Sequence, residues 1–174
     1  MSVTLRRPGA GEYAPFYETY IGKVTETDVL AALRSQRDDT LAVMRRLPAD
    51  RVDYRYAPGK WTVREVLGHV VDMEWVFTAR ALHFARAVPG GLPGVEQDDV
   101  MKVVDFAARP WLSLVDQYQH LREANLLFFD SLDDAAWNRA GIASEREFTV
   151  RALAYIIAGH DRHHLGVVRE RYLK

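Results

Sequence analysis

Cysteine is absent from the 174 residues, which excludes disulfides, thiolate metal ligands and a thiol nucleophile. Any thiol chemistry must therefore bring its sulfur in with a substrate. Long apolar runs are missing as well. No segment reaches the ~18 apolar residues of a membrane span, and Met1-Ser2-Val3-Thr4-Leu5-Arg6-Arg7-Pro8 lacks the apolar stretch of a signal peptide. A soluble cytoplasmic protein with no membrane partner is the expectation. Neither sign of charge is in excess: 23 Lys+Arg stand against 24 Asp+Glu, for a net charge of -1. That balance gives no electrostatic case for nucleic acid or an acidic membrane. Repeats, low-complexity tracts, strand signals and domain boundaries are absent too. The expectation is one domain over residues 1–174, large enough to bury a proper core.

What the chain does have is helical periodicity. Residues 8–25 read as an irregular arm whose rings, Phe16, Tyr17 and Tyr20, pack across a neighbouring element. A first helix is predicted from about Thr27 to Leu47, capped by Thr27 or Asp28 and closed by Pro48. A second starts at Thr62, with Glu65 completing a capping box, and runs to about Val88 before the Pro89–Gly94 break. A third spans about Pro110 to Asp130, and a fourth runs from near Thr149 to the end. Four such helices make an all-α four-helix bundle. The connection between the second and third is about twenty residues, whereas antiparallel neighbours usually need only ~2–8. It can carry the chain back along the bundle, which gives an up-down-down-up order.

Three of the six histidines fall within five consecutive positions of the last helix, His160, His163 and His164. At ~100° per residue, His160 and His164 share the face of Leu153, Ile156, Ile157, Val167 and Val168, and His163 lies at its edge. Burying such nitrogens without partners costs roughly 1–3 kcal/mol each. A metal removes that cost, because i, i+4 spacing puts both rings on one side. The alternative is a pair of histidines capped by hydrogen bonds or reaching solvent. A third ligand is available on the second helix, where His69 shares its face with Val66, Met73 and Val76. Glu65 and Asp72 flank it at i−4 and i+3, places from which a carboxylate can hold the ring's other nitrogen. His69, His160 and His164 together make a three-nitrogen site with a position left open, the pattern of a catalytic metal.

Four runs, Gly9–Tyr20, Tyr56–Trp61 (Y-A-P-G-K-W), Glu65–Asp72 (E-V-L-G-H-V-V-D) and Ile157–His164 (I-A-G-H-D-R-H-H), resemble the DinB-like (YfiT-like) family of metal-dependent enzymes in order and spacing. The resemblance covers nearly the whole chain. It implies the up-down-down-up bundle, a frequent homodimer, and a zinc- or nickel-type divalent metal on His69, His160 and His164. His163 matches a neighbouring family histidine that is not a direct ligand, so it stands with Glu65 and Asp72 as a supporting candidate. Similar sequences often carry arginine after the glutamate of the second-helix motif, where this chain has Trp75.

Characterised members of the family include transferases and isomerases that use a low-molecular-weight thiol as cosubstrate, and a metal with an open position can activate one. The function expected is therefore a metal-dependent enzyme on a small-molecule substrate, of thiol-dependent S-transferase type. The alternatives are a metal-dependent hydrolase and a non-catalytic, stress-associated metal-binding dimer. A hydrolase would want a free carboxylate near the bound water, and Glu65 and Asp72 are both better used beside His69. Arg80 and His83 continue the same side of the second helix and are candidates to hold an anionic cosubstrate, or simply a solvated helix end. The 89–108 connection, with Gln97-Asp98-Asp99, is either a cover for the site or an ordinary loop.

Overall fold

The computed structural model describes residues 6–174. Of the Met1–Pro8 segment, read above as carrying no signal peptide, residues 1–5 lie outside that range. In chain order the helices are α1 (Glu18–Ile21), α2 (Val29–Arg45), α3 (Ala49–Val52), α4 (Val63–Ala85), α5 (Gln97–Val103), α6 (Trp111–Asp130), α7 (Asp134–Asn138) and α8 (Val150–Val167). The long helices α2, α4, α6 and α8 form the bundle. Their starts follow local chemistry. Asp28 accepts from the Leu30 and Ala31 amides, Thr62 and Glu65 form a reciprocal capping box, and Thr149 accepts from the Ala152 amide. The last helix does not stay α-helical to its end, because Val168–Tyr172 form a π turn. No helix among the described residues is long and apolar enough to cross a membrane.

One expectation fails. A hairpin of β1 (Ala140–Ala143) and β2 (Arg146–Thr149) pairs in antiparallel register, Ala140 opposite Thr149 and Ala143 opposite Arg146. Its two turn residues, Ser144 and Glu145, take φ of 51° and 60°. Such left-handed pairs are usually Asn-Gly, so the sequence carries no turn signal. The hairpin is held by tertiary packing: Ala143 and Phe148 are buried, and Leu92 bridges to Ala143.

Side-chain contacts give the order of the bundle. Arg64, at the start of α4, donates to the Arg109 carbonyl just before α6 at 2.8 Å, so these two helices run in parallel. Arg45 meets Asp116 and Arg34 meets Asp130, which makes α2 and α6 antiparallel. Tyr155 donates to the Thr27 carbonyl and Thr40 to Asp161, so α8 runs parallel to α2. The topology is up-down-down-up, with the connection after α4 returning the chain along the bundle.

The interior has two apolar clusters. One contains Val29, Leu33, Phe77, Phe84, Phe129 and Leu153, and the other Met44, Val66, Val70, Leu114, Leu121 and Val168. Each long helix crosses from one to the other through a buried polar layer: Gln36 and Thr40 on α2, Glu74 on α4, Arg122 and Asn125 on α6, and Asp161 on α8. Arg122 is its centre. Its Nε and Nη2 donate to the Glu74 carboxylate at 2.7 and 2.8 Å, Nη2 also to Asp161 at 3.1 Å, and Nη1 to the Leu33 carbonyl at 3.2 Å. The Tyr118 hydroxyl donates to Asp161 at 2.7 Å, and Asn125 to Glu74 at 3.0 Å.

Removing one partner from a buried ionic group costs about 3–5 kcal/mol, because it strands the remaining charge. Arg122→Met is therefore expected to lower unfolding free energy by about that amount, read from urea denaturation. A loss below ~1 kcal/mol, the range of an exposed ion pair, would show that the layer contributes little.

Candidate metal centre

His69 comes from α4, and His160 and His164 from successive turns of α8. One ring nitrogen from each lies within 4.8 Å of the others. Nε2 of His69 and Nε2 of His160 are 3.0 Å apart. Ligands at ~2.0–2.1 Å around a tetrahedral zinc stand ~3.3 Å from one another, so the spacing suits a shared cation. His69 and His160 are 3% and 5% exposed, and no carboxylate bonds to any of the three rings among the described residues.

Two glycines let neighbours close over the rings. A Cβ at Gly159 would stand 2.1 Å from the Tyr20 carbonyl oxygen, and one at Gly68 2.3 Å from the Phe106 ring. Each precedes a histidine of the cluster, so α1 and the segment before α6 lie directly against the helices at His160 and His69. The Tyr20 ring then packs edge-on to His160 at 5.2 Å, and Trp61 lies 4.9 Å from His69.

Burial decides the protonation of the rings. It pushes His69 down to about 4, against a weak opposing pull from the Asp98 carboxylate. It pushes His164 down to about 3, helped by His69 and His163, and holds His160 well below the usual imidazole range. All three are neutral at neutral pH, the state a metal ligand needs. By donor type, spacing and charge the cluster fits a divalent cation.

The structure distributes the other candidates differently. The Glu65 carboxylate is occupied by the Thr62 amide at 2.6 Å and the Arg55 guanidinium at 2.8 Å, and makes no bond to His69. Its capping role consumes it. Asp72 is half-buried, with its carboxyl raised by burial against the pull of Arg109, and it too makes no bond to His69 among the described residues. His163 is half-buried beside Tyr20, with ring centroids 5.6 Å apart, and stands outside the three-nitrogen cluster. His83 contacts the Gly90 carbonyl at 3.1 Å, which ties it to the turn after α4. Trp75 is 53% exposed.

Two cavities meet at the histidines. One, of about 390 Å³, is lined by His69, His160, Tyr20, Phe77, Arg80 and Asp98 among others. The second, of about 320 Å³, takes in His163, His164, Trp61, Tyr56, Tyr172 and again Asp98. The 89–108 connection thus covers the site, through α5. Asp98 lines both cavities and forms no ion pair or hydrogen bond through its side chain among the described residues. It is the free carboxylate that sequence reasoning did not assign. The only signal was its place in the Gln97-Asp98-Asp99 run within a long connection.

The lowered values have a consequence for acid stability. In protein stripped with a chelator, His69 and His164 are depressed when folded and return to 6.5 when unfolded. Between those values the unfolded chain binds more protons, so stability rises with pH in this window. It is complete above about pH 6.5 and is lost as pH falls towards 4 and on to 3. At about pH 5 the expected loss is on the order of 2 kcal/mol per ring. Urea midpoints at about pH 7.5 and pH 5 should show it, with a smaller difference in His164→Gln. A wild-type midpoint unchanged across the window would contradict neutral burial.

The solved structure of YfiT from Bacillus subtilis, described as a probable metal-dependent hydrolase with an unusual four-helix bundle topology, is similar over 97% of this chain and 95% of that one, with a TM-score of 0.66 and 19% identity. At that identity the likeness speaks for the fold alone. No curated protein matches the chain. The family model described as the DinB superfamily matches residues 32–168, a span that holds all four long helices' polar layer and the three clustered histidines. The chain belongs to the DinB superfamily.

Proposed function

We propose that the protein is a divalent-metal-dependent hydrolase, with His69, His160 and His164 as protein ligands and a small molecule in the adjoining cavity as substrate. The observation that carries this is a cluster of three neutral imidazoles, His69 and His160 buried and His164 half-buried, whose only mutual hydrogen-bond contact among the described residues is that between His69 and His160. Bound there, a zinc- or nickel-type cation supplies Lewis-acid polarisation and acidifies a bound water or thiol. Asp98 favours the hydrolytic chemistry. It is an unpaired carboxylate on the walls of both cavities, and its charge is felt at His69. From there it can take the proton of an attacking water. The description of YfiT as a probable metal-dependent hydrolase supports the same chemistry.

Thiol transfer is the second reading. The second cavity favours it, because it gives a cosubstrate its own approach to His164, separate from the cavity at His69 and His160. A chain without cysteine must take its sulfur from such a cosubstrate.

Elemental analysis of untagged protein is expected to find one divalent metal per chain. Ala at His69, His160 or His164 should abolish it, whereas His163→Ala should keep it. Metal-loaded protein should hydrolyse members of an ester and amide panel, and Asp98→Asn should slow that by about 10²–10⁴-fold while retaining the metal. Turnover only with an added thiol and electrophile would establish transfer instead. Metal-free protein, or equal metal loss from His163→Ala, would remove the proposed site.

We also propose a homodimer. Trp75 and Leu82 on α4 are 53% and 46% exposed, and Leu127 on α6 is 75% exposed, all large apolar groups that pairing would cover. Light scattering at micromolar concentration should give twice the 19.9 kDa of one chain. A mass equal to a single chain would refute pairing.

A further inference from the structure

Three arginines are buried among the described residues, and two have an obvious reason to be. Arg122 pairs with Glu74 and Asp161, and Arg151 pairs with Glu12. The third, Arg80, is 4% exposed and lies on the wall of the cavity that opens on His69 and His160. Its Nη2 donates to the Pro93 carbonyl at 3.3 Å and the Ser144 hydroxyl at 3.1 Å, both neutral oxygens. No carboxylate lies within ion-pair distance of it among the described residues. Glu96, exposed on the same cavity, does not pair with it. Among the described residues Nε and Nη1 have no hydrogen-bond partner, yet neither is among the atoms sealed from solvent.

Burying a guanidinium is costly without a counter-charge. The fold supplies counter-charges to the arginines in its interior and leaves this one unmatched where it faces open space. It also constrains it. Ser144, one of the two anchors, sits in the turn at φ 51°, a conformation unfavourable for a residue with a side chain. A guanidinium fork held by its neighbours and lacking an anion is a preformed site for a carboxylate or phosphate.

We propose that Arg80 binds the anionic end of the substrate, which is an elongated small molecule carrying a carboxylate or phosphate at one end and its reacting group at the histidines. The identity of the reacting end rests on the metal-enzyme reading above; the anion site does not. Residues 69 and 80 are separated by roughly 16 Å along the axis of α4. Helical side chains lean towards the N-terminus, so both groups shift the same way and only the greater length of the arginine shortens the gap, which stays on the order of 10–15 Å. Tyr17, Met73 and Phe77 line the same cavity and suit an apolar middle section.

Calorimetric titration of the metal-loaded, full-length protein tests this, with hexanoate, its neutral analogue hexanamide, and inorganic phosphate as probes. Hexanoate should bind at least about tenfold more tightly than hexanamide. Arg80→Met should weaken hexanoate by about 10- to 100-fold, Arg80→Lys less, and Glu96→Gln not at all. Should circular dichroism show that Arg80→Met does not fold, Arg80→Lys decides: an affinity equal to wild type overturns the proposal. It is also overturned if neither anion binds wild type, or if hexanoate affinity survives every Arg80 change and disappears only in His160→Ala, which would place the carboxylate on the metal. A protein found to hold no metal would sink the reading of the site as a metal enzyme and still allow Arg80-dependent anion binding to be measured.

Discussion

Arg122 cannot be satisfied by any two helices of this protein. It stands on α6, takes its counter-charges from α4 and α8, and places its remaining bond on the backbone of α2. At 0% exposure it has no recourse to water. The guanidinium therefore fixes how the four helices are rotated about their axes, which apolar packing alone leaves loosely specified. The rotation reaches the histidines directly. Asp161 is the neighbour of His160 in sequence, and Glu74 lies a little over one turn beyond His69, so aiming the two carboxylates at Arg122 also sets where the imidazoles of α4 and α8 project. Burial raises the Asp161 carboxyl against the pull of Arg122, and the hydroxyls of Tyr118 and Thr40 hold it in place.

Much of this was legible in the sequence because it is local. Asp28, Thr62 with Glu65, and Thr149 cap helices through contacts within three residues, and the bundle helices end close to where the apolar period ends. The parallel pair α4 and α6 followed from the length of the connection alone. His160 and His164 were readable from i, i+4 spacing, and His69 from the apolar face it shares with Val66 and Met73. What was missed is non-local. The hairpin has a Ser144-Glu145 turn that only its packing justifies. Glu65 was read both as a cap and as a support for His69, and the cap takes the carboxylate, with Arg55 as its second partner. The Glu74–Arg122–Asp161 cluster is made of bonds between residues 48 and 39 apart, and its single sequence trace is charge at positions where the helical period calls for apolar side chains. Asp98 acquires meaning only once α5 is laid against α4. Arg80 was readable as an anion-holding candidate, but its want of a counter-charge shows only when the hairpin turn is in place.

Electrostatically the molecule has two centres of different character. The polar layer is closed, its one guanidinium bonded to both of its carboxylates. The cavity is open, and its groups are left unmatched: neutral imidazoles with lone pairs, a carboxylate on α5 and a guanidinium on α4. Interactions are stronger where water is excluded, so the unmatched groups beside the buried layer are the ones able to act on a ligand. Their separation from the layer is short along the chain, yet the two sets share no side-chain hydrogen bond among the described residues.

The connection between α4 and α6 supplies Glu96, Asp98 and Phe106, and of these only Phe106 is buried, against Gly68. The acidic residues it presents to the cavity have no structural duty, while the bundle below has little tolerance for change around Arg122. Stability and ligand preference are thus carried by different residues. A lineage can rewrite the exposed part of this segment ahead of Phe106, altering its length or charge, and reach a new substrate without paying for it in the core. Variation within such bundles should accordingly be freest in this crossing.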